Sequence, residues 1–227
     1  MSVIFLAIET STTNCSVAVL NGAEVIAANE VNDGYKHAEL IYGMVESCLK
    51  EAQINVDEIN ALVVGKGPGS YTGLRIGASF IKGLAFAQSI PVIAINSLEN
   101  LAHHPDAVAH DGLVVPMIDA RRMEVYDAIY NQGECILSTR AEVLDASSFS
   151  AELKAQKVLF IGDGAEKCKA LFKEQTNASF AEEASPSAIH IGALALKKYE
   201  AKAFEDVAYF EPYYLKDFIA GKPKKLL

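Results

Sequence analysis

The chain has 227 residues, of which 51% are hydrophobic and 22% charged, with 29 acidic residues against 20 Lys and Arg. That balance describes a packed globule of one large or two small domains and excludes global disorder. A formal net charge of −9 excludes a surface built as one broad nucleic-acid-binding face.

The acid is unevenly placed. Residues 1–60 carry nine carboxylates against Lys36 and Lys50, whereas Lys216, Lys222, Lys224 and Lys225 meet only Asp217. The four cysteines (Cys15, Cys48, Cys135, Cys168) are far apart with no CxxC pair. That pattern speaks against a zinc motif or a disulfide scaffold and for a reducing, cytoplasmic setting. No basic segment and small-residue cleavage site surround Val3–Ile8, so no signal peptide is expected. The longest apolar stretch, Leu74–Ile95, is interrupted by Arg75, Lys82 and Pro91, which speaks against a membrane span.

In chain order, Val3–Ile8 is an apolar run of β-forming residues and reads as a buried strand. Ser16–Leu20 follows as a second strand, Asn21-Gly22 supplies a tight hairpin turn, and Glu24–Ala28 returns as a third. Lys36–Ala52 places Leu40, Ile41, Met44, Val45, Cys48 and Leu49 on one stripe at helical spacing. Ile59–Val64 is the next strand and runs into the glycine-rich loop Gly65–Gly73. Leu74–Gln88 reads as a second helix and Pro91–Ile95 as a further strand. The pattern then restarts with strands Leu113–Ile118, Glu124–Tyr130 and Glu134–Leu137, the last two joined by a turn at Asn131–Gly133. A helix at Ser148–Ala155 and a strand at Val158–Ile161, entering Gly162-Asp163-Gly164, complete the repeat. One interval separates Ile8 from Ile118, Glu9 from Asp119, Asn21 from Asn131 and Glu24 from Glu134, which points to duplication. The fold class is therefore α/β. Two βββαβα lobes, 1–102 and 103–227, are expected to face a cleft, a layout that resembles the actin-like (ASKHA) fold.

Folds of that kind hold nucleotide phosphates between two acidic hairpin turns, where glycine lets backbone N–H groups approach the ligand. Here the turns read Glu9-Thr10-Ser11 and Asp119-Ala120-Arg121, each keeping an acid and neither keeping the glycine. The loss argues against an active actin-fold ATPase or kinase. The loop from Gly65 to Arg75 stands between a strand and a helix, where free N–H groups and Ser/Thr caps suit an anion. A turn whose glycines merely permit close packing fits that loop equally well. It is neither a Walker A loop nor a nucleophile elbow. Candidate nucleotide or anion contacts are Thr10, Ser11, Gly67, Gly69, Ser70, Gly162 and Gly164. A glycoprotease-like peptidase finds no HExxH, no GxSxG and no Cys/His pairing. His103, His104 and His110 cluster with Asp106 around Pro105, but adjacent histidines on a loop rarely give a defined metal geometry, so no metal is expected.

Ile8-Glu9-Thr10-Ser11, the segment beginning His37-Ala38-Glu39, the loop Gly67–Gly77 (GPGSYTGLRIG), Ile118-Asp119-Ala120-Arg121 and Pro212-Tyr213-Tyr214-Leu215-Lys216 together resemble the TsaB (YeaZ) family. The likeness covers nearly the whole chain, and the glycine loop is its most specific part. It implies a non-catalytic partner of the paralogous enzyme TsaD. TsaD places threonylcarbamoyl on the adenosine beside the anticodon of tRNAs that read codons beginning with A. The resemblance further implies work with TsaE and a homodimer when TsaD is absent. It also implies that tRNA is reached only through the complex, that no membrane is involved, and that no cofactor is held beyond ATP or ADP at the complex with TsaD. After the corresponding strand TsaD carries His-Leu-Glu-Gly-His, whose histidines bind its metal. This chain reads Ser97-Leu98-Glu99-Asn100-Leu101, with Ser97 and Leu101 at the histidine positions, which implies no metal site and no catalytic residues.

The second helix is apolar on more than one face through Leu74, Ile76, Phe80, Ile81, Leu84 and Ala85, while Gly77, Ser79 and Gly83 keep one side small. A helix apolar on two faces must bury both, and one sheet covers only one. The outer face of the first lobe's helices is therefore the expected interface, with His37, Ile41, Tyr42, Met44, Val45, Phe80 and Leu84 as its residues. The lysines Lys222, Lys224 and Lys225 are the expected place for any tRNA contact.

Overall fold

A computed structural model describes residues 2–34 and 36–216 of the chain, so Lys222, Lys224 and Lys225 lie outside the described residues. Strand β1 (Ile4–Glu9) is buried along its whole length and pairs antiparallel with β2 (Cys15–Asn21). β2 turns through Gly22, whose φ of +60° suits a residue without a side chain, into the antiparallel β3 (Glu24–Val31). On its other side β1 pairs in parallel with β4 (Ala61–Gly67), which pairs in parallel with β5 (Val92–Asn96). The first sheet thus runs β3-β2-β1-β4-β5.

The second sheet repeats that order. β6 (Leu113–Asp119) pairs antiparallel with β7 (Glu124–Asn131), which pairs antiparallel with β8 (Glu134–Val143). β6 pairs in parallel with β9 (Val158–Ile161), and β9 with β10 (Ala178–Phe180). Read from its outer hairpin strand the order is β8-β7-β6-β9-β10, the topology of the first sheet. Strand ends coincide with the repeat seen in the sequence: β1 and β6 end at Glu9 and Asp119, β2 and β7 at Asn21 and Asn131. The duplicated α/β architecture is established.

Helix α1 (His37–Ala52) lays Ile41, Met44, Val45 and Cys48 on one face of the first sheet, and α2 (Tyr71–Gln88) lays Ala78, Ile81 and Ala85 beside them. Leu6, Ile8, Val17, Val19, Leu62 and Val64 fill the sheet side of that core. Each fully buried aliphatic side chain contributes about 1.5–3 kcal/mol over leaving it in water. α2 begins a turn earlier than its apolar stripe suggests, because the Ser70 hydroxyl accepts from Gly73 N–H and caps it.

The opposite face of that sheet carries Phe5, Ala7, Ala18, Leu20, Val63 and Ile93. It is covered by a segment from far along the chain: Ala188, Ile191, Leu194 and Ala195, in a 3-10 turn and the helix Gly192–Glu200. Phe210 then enters the first core, and Glu205 N–H bonds to Val92 C=O at 2.8 Å. Residues 187–210, assigned to the second lobe on the sequence, therefore pack on the first.

Between the lobes, α3 (Ser97–Leu101) and α4 (Pro105–Val108) press Leu98, Leu101, Ala102 and Ala107 against Val114, Ile118 and Ile161 of the second sheet. The other face of that sheet meets α5 (Ser150–Ala155) and α6 (Glu166–Phe172) through Phe149, Phe160 and Phe172. The rings of Phe149 and Phe160 stand edge to face at 5.4 Å. The helix Gly192–Glu200 is α7. Among the described residues no helix is long and apolar enough to cross a membrane.

Candidate functional site

β1 delivers Glu9 to the junction of the lobes, where its side chain has no exposure to solvent. One carboxylate oxygen accepts the N–H groups of Thr10 and Ser11 at 2.9 and 2.8 Å. The other accepts the Ser97 hydroxyl at 3.0 Å and the Asn100 amide at 3.1 Å. Four donors on one buried carboxylate satisfy what burial would otherwise penalise. Gly65 makes room for it, since a Cβ there would stand inside the Glu9 carboxylate. The consequence for chemistry is direct: the turn's N–H groups, which would cradle a phosphate, already bind the protein's own acid.

Ser97 and Leu101 occupy the two positions compared with the enzyme's histidines. Ser97 donates to Glu9 and accepts from Gly67 N–H at 3.2 Å, so its hydroxyl is spoken for. Leu101 is wholly buried in the apolar cluster between the lobes. Among the described residues no group of three or more His, Cys, Asp or Glu could hold a metal ion.

Beside this network a cleft of about 360 Å³ opens between the lobes. The first lobe contributes Ser11, Thr12, Thr13, Gly69, Ser70 and Thr72 to its wall, the second Asp119, Arg121, Tyr126 and Asp163. Gly69 approaches Ser11 so closely that a Cβ would collide with the Ser11 carbonyl, which accepts Ser70 N–H at 2.6 Å. On the second wall Lys167 holds Asp119 at 2.8 Å, and Asp119 N–H donates to Asp163. Burial raises the Asp163 carboxyl above its ordinary pKa, against the pull of that backbone donor. Residues 213–216 close one side of the cleft. Tyr213 N–H bonds to Lys66 C=O at 2.7 Å, Arg75 donates to the Tyr214 hydroxyl at 3.2 Å and lies over the Tyr71 ring, and Lys216 pairs with Glu124.

The structure divides the candidate anion contacts. Ser11, Gly69 and Ser70 line the cleft. Thr10 and Gly67 lie behind its wall, Thr10 donating to Gly73 C=O at 2.9 Å. Gly162 and Gly164 are packing glycines pressed on Met117 of β6 and do not line the cleft. The expected interface divides likewise. Ile41, Met44 and Val45 are turned inward, into the core against the first sheet, and present no outer surface. His37 is buried and donates to Thr12 C=O at 2.8 Å, which fixes the start of α1. Tyr42 is 69% exposed, Phe80 and Leu84 are half-buried, and Phe86, absent from the expected set, is 86% exposed. A Cβ added at Gly43 or Gly83 would meet nothing within 4 Å, so the outer face of this helix pair is open.

Comparison with known proteins decides the family. A family model described as "TsaD: tRNA N6-adenosine threonylcarbamoyltransferase" matches residues 33–223, most of the chain. Proteins named "tRNA threonylcarbamoyladenosine biosynthesis protein TsaB" from Haemophilus influenzae and Escherichia coli are 40% and 39% identical over 121 and 129 residues. Those alignments take in 53% and 57% of this chain and 51% and 55% of the relatives. The chain therefore spans about half the length of the curated relatives it matches. The structure of YeaZ from Pseudomonas aeruginosa superposes with a TM-score of 0.79 at 29% identity, covering 94% of this chain and 100% of that one. The chain belongs to this family, on its TsaB (YeaZ) branch. The fold is actin-like: the (R)-2-hydroxyglutaryl-CoA dehydratase component A of Acidaminococcus fermentans shares it, with a TM-score of 0.53 at 12% identity over 89% of this chain and 100% of that one.

The TsaB-type sequence around the histidine cluster builds caps. His104 Nδ1 accepts Asp106 N–H at 3.2 Å at the start of α4, and His103 donates to Glu99 C=O at 2.9 Å. His190, unremarked in the sequence, stacks edge-on to His104 at 4.9 Å, and burial lowers its pKa to about 4. The Glu9 network was missed as well. Asn100 sits beside the expected positions, but its contact with Glu9 spans 91 residues and leaves no local pattern.

Proposed function

We propose that this TsaB-branch chain is a non-catalytic partner protein in threonylcarbamoylation of the adenosine beside the tRNA anticodon. Its role in that reading is to dock on TsaD and support it. The observation that carries the proposal is the Glu9 network: the acid that an actin-fold enzyme would aim at a metal or phosphate is bonded on both oxygens to Thr10, Ser11, Ser97 and Asn100. A site whose polar groups satisfy one another supports structure and leaves nothing to transfer a group.

The docking surface in this reading is the outer face of α1 and α2. Tyr42, Phe80, Leu84 and Phe86 supply apolar area, and the open Gly43 and Gly83 allow a second pair of helices to approach closely. An isologous pairing of the same face accounts for a homodimer in the absence of TsaD, by a four-helix packing. TsaE joins the pair, any ATP or ADP is held at the complex with TsaD, tRNA is reached through the complex, and the setting is cytoplasmic.

The test is a pull-down of purified TsaD by this chain, with threonylcarbamoyl transfer to tRNA assayed for TsaD and TsaE with and without it. Binding, stimulation of transfer and no transfer by the chain alone are expected. Transfer or ATP turnover by the isolated chain would replace this reading with an active actin-fold enzyme, and absence of TsaD binding would remove it.

A further inference from the structure

The geometry points to a phosphate-binding pocket at the lobe junction, separate from the interlobe cleft and held by Lys66, Lys198 and Thr139. The pocket encloses about 310 Å³ and shares only Tyr213 with the lining of the cleft. Lys66 reaches it from the end of β4, Lys198 from the last turn of α7, and Thr139 from β8 of the second lobe. None of its described lining residues belongs to the Glu9 turn or to α2.

Positive charge in this pocket is not balanced. The Lys198 ammonium is half-buried and donates to Ala94 C=O of β5 at 2.6 Å, which fixes it at the edge of the first sheet. Burial first and the charge of Lys66 second lower its pKa, and the attraction of Glu99 and Glu205 does not offset them. Neither lysine forms a salt bridge with an acid among the described residues. The lining sets two lysines against Glu99, so a positive excess remains. Two ammonium groups held near each other without a paired acid repel, and a bound anion removes that repulsion.

The second lobe supplies the facing donor. The Thr139 hydroxyl accepts the Asn96 amide at 3.0 Å, and an oxygen that already accepts keeps its own proton for a ligand. Donors from both lobes suit a tetrahedral oxyanion, which offers oxygens in several directions. A planar carboxylate is matched better by the fork of an arginine, and no described arginine lines the pocket. A volume of about 310 Å³ is at the small end of ligand cavities, so the phosphate is inorganic or borne by a small molecule.

The test uses the isolated chain, so its failure leaves the docking on TsaD untouched. Inorganic phosphate, glycerol 3-phosphate and acetate are titrated separately by calorimetry, with phosphorus NMR for the first two. Saturable phosphate binding and weaker acetate binding are expected, and the tighter of the two phosphates tells free ion from ester. Lys66→Met should weaken phosphate binding about tenfold or more, because a hydrogen bond to a charged group is lost. Without ligand the same variant should melt no lower than the parent, since it relieves the repulsion on Lys198. Lys198→Met should weaken binding similarly and serves if Lys66→Met does not fold. Lys197→Met, at the exposed neighbouring position, should bind phosphate as the parent does, which separates a built pocket from a general loss of charge. No saturable binding at millimolar phosphate, or binding indifferent to both pocket substitutions, overturns the inference. An equal loss in Lys197→Met, or acetate bound as tightly as phosphate, would overturn it as well.

Discussion

Replacing Glu9 by alanine tests whether the heart of the cleft is structural. The substitution takes away the acceptor for four donors at 2.8 to 3.1 Å, two of them backbone N–H groups that cannot turn elsewhere. Ser97 and Asn100 can reorient, so the two orphaned N–H groups set the scale, at about 1–3 kcal/mol each. Relief from burying the carboxyl offsets part of this, and the space left behind adds to it, for a net loss of about 3–5 kcal/mol. For a domain of this size that is a fall of roughly 6–20 °C in melting temperature. Glu9→Gln keeps a carbonyl for Thr10 and Ser11 and sets its amide against Asn100, whose own oxygen accepts Ser187 N–H at 3.4 Å. Its cost should be about 1–2 kcal/mol. Urea titration followed by circular dichroism gives both values. A loss below about 1 kcal/mol for Glu9→Ala, or equal losses for the two variants, would refute the reasoning.

Three further outcomes are expected. Tyr42→Glu and Phe86→Glu, on exposed positions, should leave circular dichroism unchanged and abolish pull-down of TsaD, whereas Val45→Glu should lose folded signal because it buries an unpaired carboxylate. Asp127 is buried against Arg140, and burial lifts its carboxyl to about 6 over the opposing pull of that arginine. Its contribution is fully present below the ordinary carboxyl range and lost as pH rises through about 6, so Asp127→Asn should gain roughly 3 kcal/mol on the parent between pH 4 and 7. His190, lowered to about 4 by burial and by His104, acts oppositely, its contribution present above about 6.5 and lost as pH falls through about 4. Denaturation at several pH values should show His190→Asn closing on the parent as acid is added, and parallel profiles would refute it.

The repeat was legible because strands and turns write themselves locally: an apolar run, an acid and an Asn-led turn recur at one interval, and the two sheets share an order. The glycine loop was legible for the same reason. The helix faces were not. An apolar stripe states that a helix buries one side, and Ile41, Met44 and Val45 were placed outward although that stripe is the side the sheet takes. Phe86 was overlooked because a single exposed aromatic near a helix end breaks no periodicity. β10, of three residues, falls below the length at which alternation can be read. Contacts such as Glu9 with Asn100, or Ser187 with Glu30 across 157 residues, depend on how distant segments meet and have no local signal.

The return of α7 to the first sheet governs the order in which the chain can mature. Emerging from the ribosome, residues 1–102 can pair their five strands and receive α1 and α2, but Phe5, Ala7, Ala18, Leu20 and Ile93 stay bare on the other side until residues near 195 have been made. The second lobe, synthesised in between, has its own helices on one face and can condense first. The half that begins the chain thus keeps one apolar sheet face uncovered until α7 has been made, a surface on which misassembly can start.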